Sequence, residues 1–180
     1  VSTINEIRSA RETFAELYEE FLPRVFRYIK YRVNSVQVAE DLTSGTFEKA
    51  LTNFTRFSSN KASFSTWIFT IARNTVIDYY RVHGRRQTVS LEKAEIDVSS
   101  PELPPDEAVE NQEEREKLRE CLSRLSREEQ ELVSLKFGSG LNNRQIAGVT
   151  GLSESNVGTK LYRAVRKLRD SFPEAKNAQA

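Results

Sequence analysis

Between Phe14 and Val33 the apolar residues Phe14, Leu17, Phe21, Leu22, Val25, Ile29 and Val33 recur mostly at steps of three and four, the spacing of one face of an α-helix. The same stepping returns in Val38, Leu42, Phe47, Ala50, Leu51 and Phe54, and again in Trp67, Ile68, Ile71, Thr75 and Tyr79. Three helices are predicted in this half. Pro23 should kink or split the first, Asn34 or Ser35 can cap the second, and Gly45 weakens the middle of that second helix. The polar run Ser58 to Ser63 reads as the loop before the third.

From Gly84 to about Asn111 the periodicity disappears, and Ser99, Ser100, Pro101, Pro104 and Pro105 make a continuous helix improbable there. Helical spacing resumes with Leu118, Cys121, Leu122 and Leu125. Ser126 followed three residues later by Glu129 fits a capping box, and Leu132, Val133, Leu135 and Phe137 should form the core of the helix it opens. Gly138 and Gly140 should end that helix, Asn142 or Asn143 can cap a short one, and Gly151 supplies a tight turn before Ser153 caps the last. The expected fold is all-α. Two small helical domains, 8–86 and 113–172, are joined by a flexible linker, 87–112.

The formal charge of +1 conceals a segregation along the chain. Residues 24–86 hold 11 Lys/Arg against 4 Asp/Glu, residues 92–120 hold 4 against 11, and residues 121–180 hold 10 against 6. Two basic lobes flanking an acidic connector suit a polyanionic partner. Other chemistries are excluded more sharply. The one cysteine, Cys121, and the one histidine, His83, give neither an internal disulfide nor a zinc ligand set. No nucleophile stands with a base, so neither a cofactor nor catalysis is expected. No apolar run approaches the length of a membrane span, and the first ten residues mix Glu6 and Arg8 with aliphatics, which leads to the expectation of a cytoplasmic protein with no membrane insertion of its own.

The stretch Asn143 to Leu161 has the layout of a helix-turn-helix. Ile146, Ala147, Leu152, Val157 and Leu161 would set the angle between two helices, with Gly151 at the turn. At about 100° per residue, Val157, Leu161, Ala164 and Leu168 face inward, which turns Ser155, Thr159, Tyr162, Arg163 and Arg166 outward. Thr159 and Tyr162 are suited to base edges, and Arg163 and Arg166 to guanine or phosphate. A plain helical hairpin with a solvated basic face would show the same pattern. In the first half, Phe64, Trp67, Phe69, Tyr79 and Tyr80 are interleaved with Arg73, Arg81, Arg85 and Arg86 on the third predicted helix. Aromatic stacking with cationic tracking of phosphates suits single-stranded DNA, although Trp67 by itself fits a core position better. Asn74 offers an amide able to bond the edge of an extruded base.

These residues resemble a known family. Ala39-Glu-Asp-Leu, then Phe47, Ala50 and Phe57, then Phe64-Ser-Thr-Trp-Ile-Phe-Thr-Ile-Ala-Arg-Asn and Asp78-Tyr-Tyr-Arg are similar to conserved region 2 of the extracytoplasmic-function (ECF) sigma factors of the sigma-70 family. Leu125-Ser-Arg-Glu-Glu-Gln through Leu168-Arg169 is similar to their region 4. The resemblance implies a non-enzymatic subunit that directs core RNA polymerase to promoters. Region 2 would bind the β′ clamp helices, with Glu40, Asp41, Leu42, Phe47 and Glu48 as the polymerase-binding residues. It would also recognise and melt the minus ten element. Asn74 and the loop carrying Asn60 and Lys61 match the positions that hold a flipped base, beside Phe64, Trp67, Arg73, Arg81, Arg85 and Arg86. Region 4 would rest on the β flap and read the minus thirty-five element as duplex, through Arg144, Ser155, Asn156, Thr159, Lys160, Tyr162, Arg163 and Arg166. An anti-sigma factor is the implied regulator, and the linker would follow a polymerase channel. The chain departs from the family pattern at Ser44 and Gly45 in the second predicted helix and at Gly158 in the recognition helix. The rival reading is a stand-alone transcription regulator that binds duplex DNA without polymerase.

Overall fold

A computed structural model describes the backbone of residues 4–33, 35–58, 60, 62–87 and 120–171, and the side chains of those residues from 13 onward apart from 84–87. All regular structure among the described residues is helical: α1 (Ile4–Arg32), α2 (Val36–Asn53) with a 3-10 turn at Phe54–Arg56, α3 (Phe64–Gln87), α4 (Arg127–Val133) running into a π-helical turn at Ser134–Gly138, α5 (Asn143–Thr150) and α6 (Glu154–Ser171). Residues 120–123 add a helical turn before α4. The linker 87–112 lies outside the described residues, apart from the last residue of α3, and so does the Asn34 cap.

Caps fall where short polar residues can accept the orphan amides of a first turn. Ser35 accepts from the Val38 amide at 3.4 Å. Ser126 and Glu129 form a reciprocal capping box, with bonds of 3.2 and 2.9 Å. Of the two asparagines, Asn142 is the cap, in a second capping box with Gln145. Ser153 accepts from the Asn156 amide at 3.2 Å. Gly151 ends α5 with φ of 78°, a left-handed conformation that would cost other residues about 1–2 kcal/mol.

Helix α1 continues through Pro23 without splitting. Its inner face is Phe14, Phe21, Val25, Tyr28 and Ile29, with Val33 buried just past its end. Against it packs a face of α2 made of small side chains, Ala39, Thr43, Thr46 and Ala50, with Phe47 beside them. The Thr43 and Thr46 hydroxyls donate to the Ala39 and Leu42 carbonyls at 2.6 and 2.7 Å, so these buried oxygens carry no unpaired polarity. The apolar stripe read from the sequence is thus rotated: Leu51 is 54% exposed and Leu42 only half-buried. In α3 the buried face is Phe64, Ser65, Ile68, Phe69, Ala72, Thr75 and Val76, while Trp67, Ile71 and Tyr79 are partly covered. Phe137, expected in the core, is 63% exposed. The π turn, closed by the Ser139 amide on the Ser134 carbonyl at 3.1 Å, takes up one residue more than a regular turn and carries Phe137 past the inner face.

The two halves are in contact. α5 lies on α3, and the π turn lies on α1. Their buried residues form one continuous cluster, from Phe14 to Ala164. The two helical domains expected from the sequence thus pack against one another.

Candidate nucleic-acid interface

Helix α6 presents two unlike faces. Val157, Leu161 and Ala164 are buried against α4 and α5, whereas Tyr162 is 69% exposed and Ser155, Asn156, Thr159, Arg163 and Arg166 are exposed with it. Gly158 sits where α6 crosses the start of α5: a Cβ there would lie 3.5 Å from Asn143 Nδ2. Basic side chains on α6 divide into two sets. Lys160 pairs with Glu128 at 2.7 Å and Lys167 with Glu129 at 2.6 Å, tying the helix to the first turn of α4. Arg163 and Arg166 have no ion-pair partner among the described residues and face solvent, as does Arg144 at the start of α5. The Lys167 hydrogen bond first, and then the Ser126 amide, hold the Glu129 carboxyl below its ordinary pKa.

On the first half, an open groove of about 350 Å³ is lined by Lys49, Asn53, Arg56, Trp67, Ile71 and Asn74. Its floor is a half-buried indole and its rim carries two cations and two amides. Lys49 Nζ donates to Thr75 Oγ1 at 3.1 Å, and Asn53 Nδ2 donates to the Lys49 carbonyl at 2.8 Å, which fixes that rim. Lys49, Asn53 and Arg56 were not singled out in the sequence. Their signal is the three-to-four residue spacing that stacks them on one face of α2 and the following turn, opposite Asn74. Trp67 belongs to an aromatic cluster with Phe54, Phe57 and Phe64 at centroid distances of 5.0 to 6.4 Å.

The remaining sequence-selected residues differ in where the structure puts them. Asn60, Asn74 and Arg81 are exposed, Arg81 paired with Asp78 at 3.1 Å. Phe64 is 9% exposed and Phe47 only 4%, so both rings pack the interior and neither is presented to a partner. Arg73 is engaged across the seam between the halves, with Nε and Nη2 donating to Glu131 Oε1 and Oε2 at 3.1 and 3.3 Å. Lys61 and the side chains of Arg85 and Arg86 lie outside the described residues. On α2, Glu40, Asp41 and Glu48 are exposed along one face with Ser44 and Leu51, beside half-buried Leu42. Among the described residues no cluster of His, Cys, Asp or Glu could hold a metal, and no helix is long and apolar enough to cross a membrane.

Residues 17–86 match the family described as Sigma-70 region 2, and residues 115–168 that described as Sigma-70, region 4. The chain is 36% identical over 163 residues to the ECF RNA polymerase sigma factor BldN of Streptomyces coelicolor, covering 91% of this chain and 61% of BldN's length. It is 30% identical to the ECF RNA polymerase sigma factor RpoE of Cereibacter sphaeroides, covering 94% of this chain and 92% of that one. The fold superposes on the sigma factor RpoE of Bartonella quintana, solved in complex with the anti-sigma factor NepR, with a TM-score of 0.73 and 21% identity over 89% of this chain and 96% of that one.

Proposed function

The chain belongs to the ECF sigma factors of the sigma-70 family, non-enzymatic subunits of RNA polymerase, and from that premise we propose how its own residues divide the work at a promoter. The second half reads the minus thirty-five element as duplex. The observation that carries this is the two-faced α6: an apolar side holds the helix, and an outward side offers Tyr162, Arg163 and Arg166 with no internal partner to satisfy them. A helix so mounted fits a major groove, with Ser155, Asn156, Thr159 and Tyr162 toward base edges and Arg144, Arg163 and Arg166 toward guanine or phosphate.

The first half opens the minus ten element. The groove between α2 and α3 combines an indole for stacking, the Asn74 amide for a base edge, and Lys49 and Arg56 for the phosphates on either side. Asn60, Lys61, Arg81, Arg85 and Arg86 extend that cationic surface. The acidic face of α2, with Glu40, Asp41 and Glu48, is the contact for the β′ clamp helices, and the second half rests on the β flap. An anti-sigma factor that covers either surface would hold the protein inactive. The reading puts the protein in the cytoplasm, where promoter DNA is.

Strand opening tests this. Sigma-free core polymerase, this chain and duplex promoters carrying 2-aminopurine in the minus ten region should give a fluorescence rise that neither protein gives alone. Tight duplex binding by the chain alone, with no opening when polymerase is added, would favour a stand-alone regulator.

A further inference from the structure

A cleft of about 280 Å³ opens where the end of α1 meets α3, α4 and the turn after α5. Arg32, Arg73 and Arg127 line it, against Glu128 and Glu131. Ion pairs decide which of these charges are still available. Glu131 is committed to Arg73, which bonds both its oxygens at 3.1 and 3.3 Å, and Glu128 is committed to Lys160 at 2.7 Å. Arg32 and Arg127 have no carboxylate partner among the described residues. The cleft is left with two uncompensated guanidiniums.

These two cations are held close to one another. Arg32 Nη1 donates to the Arg127 carbonyl at 3.2 Å, so the head of the first lies against the backbone that carries the second. Tyr80, on α3, donates its hydroxyl to the Arg32 carbonyl. Burial raises that phenol above its ordinary range while the charges of Arg32 and Arg127 pull it down, which puts both guanidiniums near the one hydroxyl. Arg32 Nε is buried with no acceptor at all. Like charges confined beside the apolar Ile77 and Leu152 are screened less than they would be in open water. An anion placed between them relieves that repulsion.

The chemistry of the occupant follows from charge and size. Two guanidinium forks match a group with at least two negative charges and several acceptor oxygens, whereas a single carboxylate would leave one of them unmatched. The volume lies just below the range of about 300–1,000 Å³ usual for small-molecule sites, so the ligand is small. The cleft shares no residue with the Trp67 groove or with the outward face of α6. We infer that it is a binding site for a small phosphorylated ligand carrying at least two negative charges, held between Arg32 and Arg127.

Calorimetric titration of the full chain with pyrophosphate, in magnesium-free buffer at low salt, tests it. Saturable binding of one pyrophosphate per chain is expected, and acetate at equal ionic strength should not displace it. Arg127→Ala removes an exposed side chain, so the protein should fold normally and bind at least about tenfold more weakly, the loss expected for a charged hydrogen bond. Arg32→Lys keeps the charge but loses the fork, and should weaken binding as well. Arg27→Ala and Arg169→Ala take the same charge from exposed positions outside the cleft and should leave binding nearly unchanged. Glu128→Gln removes a negative charge from the wall and should tighten binding several-fold, a gain that damage to the fold would not give. Absence of saturable binding overturns the inference. So does equal weakening by Arg27→Ala, Arg169→Ala and Arg127→Ala, because only overall charge would then be felt. An equal loss of affinity for a short single-stranded oligonucleotide in Arg127→Ala would assign the cleft to DNA and overturn it too.

Discussion

The division of the α6 cations into paired lysines and free arginines predicts a specific salt dependence. Lys160 and Lys167 are neutralised by Glu128 and Glu129, so they should release few condensed counterions from the DNA phosphates on binding. Arg163 and Arg166 face solvent unpaired. Each phosphate contact contributes about 0.9 to the slope of log affinity against log salt on duplex DNA, so Arg163→Ala with Arg166→Ala should lower the slope by about 1.8. Between 50 and 200 mM salt that difference amounts to about 12-fold in relative affinity. The assay is a KCl titration of promoter binding by polymerase assembled with each variant, followed by fluorescence anisotropy. Lys160→Ala with Lys167→Ala should leave the slope unchanged while lowering the stability of the chain, since surface pairs contribute about 0.2–1 kcal/mol each. If the lysine pair lowered the slope as much as the arginine pair, the reasoning from ion pairing would be refuted, and Lys160 would take the DNA-contacting role that the family resemblance implies.

Three further outcomes follow from packing and capping. Leu132 is fully buried, so Leu132→Ala should cost about 2–5 kcal/mol in urea unfolding. Gly151→Ala should cost about 1–2 kcal/mol, because its φ of 78° lies in the left-handed region, and should weaken promoter binding beyond what the stability loss explains. Glu129 has a folded pKa below its unfolded one. Its stabilising contribution is therefore present above the unfolded value and lost as pH falls through the folded value. Glu129→Gln should be less stable than the wild type at neutral pH, and the gap should close on acidification, which a pH series of melting curves will show.

The caps and turns were legible because they depend on local chemistry: Ser126 with Glu129, Asn142 with Gln145 and Gly151 each satisfy backbone groups within a few residues. Helix rotation was not. α3 carries apolar residues around much of its circumference, including Phe64, Trp67, Ile68, Phe69, Ile71 and Val76, and several stripes satisfy a helical period. The neighbours decide which is buried, and the small Ala39, Thr43 and Thr46 face of α2 turned Leu51 outward. Phe137 was misplaced because a π turn leaves no mark in hydrophobic spacing. Of the candidate interface, the outward face of α6 was readable from one helix alone. The Lys49, Asn53, Arg56 and Asn74 groove was only half visible, since two elements build it. The Arg73–Glu131 pair joins residues 58 positions apart, beyond any local pattern.

Run-off transcription tests the central claim most directly. Core polymerase freed of sigma should produce promoter-initiated transcripts from linear templates only when this chain is present, and Tyr162→Ala with Arg166→Ala should reduce them on templates that need the upstream element. Equal transcript with and without the chain, or none from any template drawn from its own genome, would contradict the account.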